Sequence, residues 1–201
     1  IIIKMTNLKK SFKDSSQAFA FWVPDIKEKK VLHRNSQIEK FTRVDQIWEW
    51  LGVHFGHVKA VDSPHTFHPE SFTYKELSEN ISKAAEGFIE MGVEPGDVVA
   101  LFSENSPRWL IADQGIMRSG AADAVRGATA PVDELKYILE DSHAVGLIVQ
   151  NSEVWRRLSL AERQKNGLKF VIQLEGEAGE GVLEWNSFME KRLVRKQVAK
   201  S

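Results

Sequence analysis

The chain has 201 residues, 42% of them hydrophobic and 27% charged, with a formal net charge of -1. That is the balance of an ordinary globular protein, with no bulk electrostatic pull towards nucleic acid. There is no cysteine, which excludes a disulfide framework, a thiol nucleophile and a thiolate metal site.

Apolar runs such as Ala18 to Val23 and Val145 to Val149 fall far short of the ~20 residues that a membrane-spanning helix needs. The opening IIIKM suggests that Met5 is the start, or that the chain is a processed or truncated product. Lys4, Lys9, Lys10 and Lys13, with Ser11, Ser15 and Ser16, faintly suggest a plastid or mitochondrial transit peptide, against which Asp14 counts. Residues 1 to 43 form a poorly defined extension. Phe19, Phe21 and Trp22 are expected to pack as an extended segment, and Lys27 to Lys30 to lie in a solvated loop.

From Val44 the pattern sharpens. Val44, Ile47, Trp48, Leu51 and Phe55 recur at spacings of three and four, which predicts one helical face. Lys59 to Asp62 is a strand candidate, and Ser63 to Ser71, with two prolines, a loop. Thr73 and Glu76 form a capping box that opens a helix. Leu77, Ile81, Ala84, Ala85, Phe88 and Ile89 make its buried stripe, and Gly92 its left-handed stop. Val98 to Phe102 is a buried strand. Ser106 as N-cap and Pro107 behind it start the next helix, with Trp109, Leu110, Ile116 and Met117 on its apolar side.

Ala121 to Arg126 is the next strand. Pro131 starts a helix with Asp133 and Glu134 in its first turn, favourable against the helix dipole, and Leu135, Ile138 and Leu139 facing inward. Val145 to Val149 is a strand, Ser152 caps a short helix through Leu160, and Phe170 to Leu174 is a further strand. Glu175 to Gly181 is an acidic, glycine-rich surface loop. A last helix begins near Asn186, with Phe188, Met189 and Leu193 on one side. Strands alternating with helical crossovers predict an α/β fold, a mostly parallel sheet with flanking helices.

Several positions are chemical candidates. Arg126, Gly127, Ala128 and Thr129 join a strand to a helix, where open α/β sheets place ligand contacts. Arg126 there either meets an anion or pairs with Asp123 or a loop carbonyl. Ser103, Glu104, Asn105 and Ser106 follow a strand end in the same way. Glu104 is a catalytic candidate, although capping already explains Ser106. Asp113 and Gln114 are polar on an apolar helix surface and are expected to bond a neighbouring helix terminus. His54, His57, His65 and His68 invite a metal reading, but no cysteine or paired acidic residue completes a ligand set. Lys191, Arg192, Arg195 and Lys196 are a solvated basic face or a weak attraction to anionic lipid, the one form of peripheral membrane contact considered. No dinucleotide fingerprint and no P-loop is present.

Phe72, Thr73, Tyr74 and Leu77, then Gly92, Val93, Gly96 and Asp97, resemble the N-terminal region of acyl-activating (adenylate-forming) enzymes. Asn105, Ser106, Arg108, Trp109, Leu110, Ala112, Asp113, Gln114 and Gly115 narrow the likeness. With Ala124, Val125, Arg126, Gly127 and the helix Val132 to Leu139, they are similar to the plastid and cyanobacterial long-chain acyl-CoA synthetase/acyl-ACP synthetase group. The resemblance runs from Val44 to Leu174 and more weakly to Leu193.

It implies a two-step ligase. A fatty acid is activated by ATP, with magnesium, as an acyl-adenylate, and coenzyme A or acyl carrier protein then takes the acyl group. It also implies a plastid or cytoplasmic setting. The family's phosphate loop, its Thr-Glu, its ribose-binding aspartate and its C-terminal lysine find no match here. No catalytic, cofactor-binding or metal residue is therefore assigned, and residues 44–201 are expected to be the incomplete N-terminal portion of an AMP-binding domain, inactive alone. A stand-alone, non-catalytic α/β binding module and an inactive truncated product are the alternatives. A sheet short of partners from beyond Ser201 is expected to leave Val99, Leu101, Leu147 and Ile148 incompletely covered.

Overall fold

A computed structural model describes residues 41–65, 68–160 and 167–190. The expectations for Phe19, Phe21, Trp22, Lys27 to Lys30, Leu193 and the basic residues Lys191, Arg192, Arg195 and Lys196 lie outside them. Two units divide the chain, Ile1–Ile47 and Trp48–Ser201. In the described part of the first, Arg43 and Asp45 pair at 2.7 Å. The second carries the sheets and the helices around them.

Helix α1 spans Gln46–His54. It begins two residues later than the periodicity places it, and Val44 is exposed. Trp50, not on the expected face, is buried. A short antiparallel hairpin follows, β1 (Lys59–Ser63) with β2 (Glu70–Thr73). The sequence reading has β2 as the end of a loop. Its four residues, ESFT, are too short for a periodicity to show, and it exists because β1 offers a pairing edge.

Helix α2 (Tyr74–Glu90) has the expected capping box, with the Thr73 hydroxyl accepting from the Glu76 N–H and Glu76 reaching back to the Thr73 N–H. Five of the six expected stripe residues are buried, whereas Ile89, in the last turn, is 54% exposed. Gly92 takes φ +87°, the left-handed stop.

The remaining elements are β3 (Val98–Phe102), α3 (Pro107–Arg118), β4 (Ala122–Arg126), α4 (Val132–Asp141), β5 (Gly146–Val149), α5 (Ser152–Leu158), β6 (Phe170–Gln173) and β7 (Leu183–Glu184). They alternate strand and helix as far as β6. A helical segment, α6, covers 185–190. Strand β7 is a two-residue addition too short for any sequence pattern. Helix α5 is capped by Asn151, whose side chain accepts from the Glu153 and Val154 N–H groups, not by Ser152 as expected. Asparagine and serine are comparable caps, so adjacent candidates are not separable by type.

The five strands form one parallel sheet in the order β4-β3-β5-β6-β7. Side chains alternate across it. Val99, Leu101, Ile148, Phe170 and Ile172 meet α2, α3 and α6 on one face. Ala100, Phe102, Leu147, Val149 and Val171 meet α4 and α5 on the other. The expectation of incomplete cover is overturned: Val99, Leu101, Leu147 and Ile148 are fully buried. The helices that cover them come from the same stretch of chain, three from crossovers and two, α2 and α6, from before and after the sheet. What stays open is the edge at β4, where Val125 is 42% exposed.

Two glycines are close-approach positions. A Cβ on Gly115 would lie 2.8 Å from that of Ala84, so α3 and α2 touch backbone to side chain there. The ring of Phe170 fills the space over Gly146 on the neighbouring strand.

Phe88 is fully buried, against the rings of Phe170 and Phe188. Phe88→Ala is expected to cost ~3–5 kcal/mol through lost burial and the cavity left behind. Urea unfolding checks this, and coincident curves for the variant and the wild type would remove Phe88 from the core.

Candidate functional site at the carboxyl edge of the sheet

Strands β3 and β5 are neighbours, yet the chain leaves them towards opposite faces. After β3 it enters α3 on one face, and after β5 it enters α5 on the other. Divergence at adjacent carboxyl ends is the topological switch point of an open α/β sheet, the usual place for a crevice. The chain brings Ser103 to Ser106, Arg126 to Thr129 and Gln150 to that end.

Here the loops are tied to one another. Glu104 N–H donates to Gln150 Oε1 at 3.1 Å. The Glu104 carboxylate accepts from the Thr129 N–H at 3.4 Å and the Thr129 hydroxyl at 3.3 Å. Gln150 Nε2 donates to Glu175 Oε2 at 3.3 Å. From α5, Arg157 donates to the Ala128 and Ala130 carbonyls at 2.8 and 2.7 Å. Ser103 Oγ donates to the Glu104 carbonyl, and Ser106 caps α3 at the Trp109 N–H as expected.

Arg126 pairs with neither Asp123 nor a carbonyl. It makes a two-point contact with Glu134 of α4, at 2.8 and 3.3 Å, which raises the guanidinium pKa further. The carboxyl edge thus sets Glu104 and Glu175 among loops whose arginines are already engaged, a poor match for a phosphate. Sequence reasoning reached Glu104 and Thr129 but missed Gln150, Glu175 and Arg157, whose roles arise only from the crossovers.

Further along the same edge, a cleft of about 370 Å³ is lined by residues including His68, Arg108, Leu174, Glu177 and Trp185. Arg108 is its buried cation. Its Nε donates to Glu70 at 2.9 Å and its Nη1 to the Leu174 carbonyl at 2.6 Å. One signal pointed to Arg108: a cation in the first turn of a helix opposes the helix dipole and needs an outside partner. Of the other histidines, His54 lies against the Trp50 ring, with centroids 4.5 Å apart, and His65 is exposed. Among the described residues no group of three His, Asp or Glu side chains is placed to hold a metal ion.

Asp113 and Gln114 do not cap a neighbouring helix, as the sequence suggested. Gln114 accepts from the Trp48 indole N–H and donates to Asp113. Asp113 meets the carboxyl of Asp123 on β4. Burial first, then that neighbour, push the Asp113 pKa up to about 7. Their partners are a carboxyl on a strand and the indole of Trp48, in the first turn of α1.

Arg157→Met keeps the aliphatic stem and removes both carbonyl contacts. The guanidinium is exposed, so a global loss of only about 1 kcal/mol is expected. The Ala130 N–H, bonded to the Gly127 carbonyl, should exchange with solvent markedly faster. Unchanged exchange at Ala130 would show that Arg157 does not hold the loop.

Comparisons with known proteins place this frame. The family model for AMP-binding enzymes matches residues 51–199, and the chain belongs to that family. It is 41% identical over 134 residues to the Arabidopsis thaliana chloroplastic protein named probable acyl-activating enzyme 16, covering 67% of this chain and 19% of the relative. It is 39% identical over 134 residues to a chloroplastic long-chain-fatty-acid–[acyl-carrier-protein] ligase of the same plant, covering 67% and 18%. Among solved structures, an anthranilate CoA ligase in complex with anthranoyl-AMP superposes with a TM-score of 0.67 at 21% identity, over 75% of this chain and 28% of that one. That likeness shows the α/β fold. A long-chain-fatty-acid-CoA ligase from Archaeoglobus fulgidus gives 0.61 at 25% identity, over 74% and 29%. The chain spans about a fifth of the length of the curated relatives.

Proposed function

We propose that this member of the AMP-binding enzyme family supplies the N-terminal sheet of an ATP-dependent ligase for long-chain fatty acids. The ligase activates the fatty acid as an acyl-adenylate and passes the acyl group to the thiol of coenzyme A or of acyl carrier protein. The carrying observation is the 39% identity over 134 residues to a fatty-acid–[acyl-carrier-protein] ligase. The chloroplastic names of both Arabidopsis relatives favour a plastid setting. Residues 44–201 are assigned to the N-terminal portion of the AMP-binding domain and 1–43 to an extension, in keeping with the family match at 51–199.

The described residues do not fit ATP and magnesium. A nucleotide needs converging N–H donors and free cations at its phosphates. At the switch point Arg126 is held by Glu134, Arg157 by two carbonyls, and the charged side chains that tie the loops there are Glu104 and Glu175. These residues therefore take no chemical step on the nucleotide. In this reading the chain acts as a scaffold for the rest of the ligase.

A chimera tests the reading. The matched 134-residue segment of the Arabidopsis acyl-carrier-protein ligase is replaced by the segment from this chain. The chimera is expected to retain palmitate-dependent ATP–pyrophosphate exchange, while the 201-residue chain alone releases no pyrophosphate above a palmitate-free control. A folded chimera without exchange would contradict the ligase assignment. Palmitate-dependent release by the chain alone would contradict the scaffold role.

A further inference from the structure

Asp113 on α3, buried, and Asp123 on β4, half-buried, bring two carboxyls together. Asp123 is opposite Val99 in the parallel register, so its side chain shares the sheet face that α3 covers. Asp113 is only 9% exposed. Its Oδ2 takes the Gln114 amide, whose own oxygen takes the Trp48 N–H. Asp123 Oδ2 is buried, and no donor among the described residues reaches it.

An orphaned buried acceptor is costly. A proton on Asp113 supplies the missing donor and removes the repulsion between two carboxylates. We propose that one proton shared between Asp113 and Asp123 latches α3 to β4, and that its release to solvent loosens the edge strand and the loop it feeds.

Charged side chains on the surrounding elements pair elsewhere. Arg118 of α3 meets Glu49 of α1, Lys59 of β1 meets Asp62, and Arg126 of β4 meets Glu134 of α4. Helix α2 approaches α3 through Ala84, Ala85 and Phe88 at Gly115, and β3 offers Val99 and Leu101. Arg118, Lys59 and Arg126 are thus engaged away from the pair, and a proton on Asp113 removes the repulsion between its carboxyls. Strand β4 is the sheet edge, held on one side only, and runs directly into the 127–130 loop. Among the described residues no further strand braces a change at Asp123.

The direction of the pH effect is set by the raised Asp113. Its contribution to stability is fully present below its ordinary value of 3.8 and is lost as pH rises through about 7. Asp62, Glu76 and Asp97 are lowered instead, by hydrogen bonds from Lys59, from the Thr73 backbone and from the Glu94 backbone. Their contributions are lost in acid, outside this window.

Amide exchange of the 201-residue chain at about pH 6 and pH 8, corrected for intrinsic rates, tests the latch. Protection of the β4 amides is expected to fall several-fold between the two while that of the β5 amides stays constant. Asp113→Asn carries an amide that can accept from Gln114 and donate to Asp123 at either pH, so it should abolish the fall. Equal β4 protection in the wild type at both pH values, or the same fall in D113N, would overturn the proposal. Carboxyl-carbon NMR titration of the wild type decides the matter even if D113N does not fold. A midpoint near 7 at Asp113 is expected, and a midpoint in the ordinary carboxylate range would overturn the latch.

Discussion

Burial of β3 and β5 on both faces is the constraint on which this structure depends. A parallel strand cannot pair with its neighbour through a tight turn, so the crossovers around β3 and β5 carry helices. Val99 and Leu101 face one way and Ala100 and Phe102 the other, all four fully buried. Each such side chain contributes roughly 1.5–3 kcal/mol when removed from water, less for alanine. Two cores therefore share these central strands, with β6 contributing to both. The same arrangement sends the chain to opposite faces after β3 and after β5, which creates the switch point where Glu104, Thr129, Gln150 and Glu175 meet.

The polar features are consequences of that packing. The loops at the carboxyl edge cannot reach solvent with every backbone group, so Arg157 serves two carbonyls and Glu104 the Thr129 N–H. Arg108, committed to the first turn of α3, finds Glu70 on the hairpin. Asp113 faces inward because α3 must present Ile111, Ala112 and Ile116 to the same sheet face. The cost is a buried carboxyl beside another, at a strand with a free edge.

Much of the frame was legible in the sequence, because long helices carry their own start and stop signals. Thr73 with Glu76, Ser106 with Pro107, and Gly92 all act locally, and the structure uses each as expected. Val98–Phe102 stood out as an apolar run after a turn, and the strand expected at Ala121 to Arg126 forms from Ala122. Strands β2 and β7 did not, since two to four residues carry no periodicity and their existence depends on a neighbour's edge. The cover over Leu147 and Ile148 was misjudged because burial was inferred from missing parts, whereas helices within this stretch of chain supply it. Arg126 found Glu134, eight residues on, through the turn into α4. The Asp113–Asp123 contact joins two elements through the sheet register, and no local pattern encodes it.

If β3 and β5 hold both cores together, they must be the last elements to open. Native-state hydrogen exchange of the isolated chain reads this order, because the slowest amides report the last structure to unfold. The slowest set is expected in β3 and β5, around Ala100, Leu101 and Ile148, with β7 and the β1–β2 hairpin exchanging much faster. A slowest set in the hairpin or in β7, or no protected set at all, would contradict the shared-strand architecture.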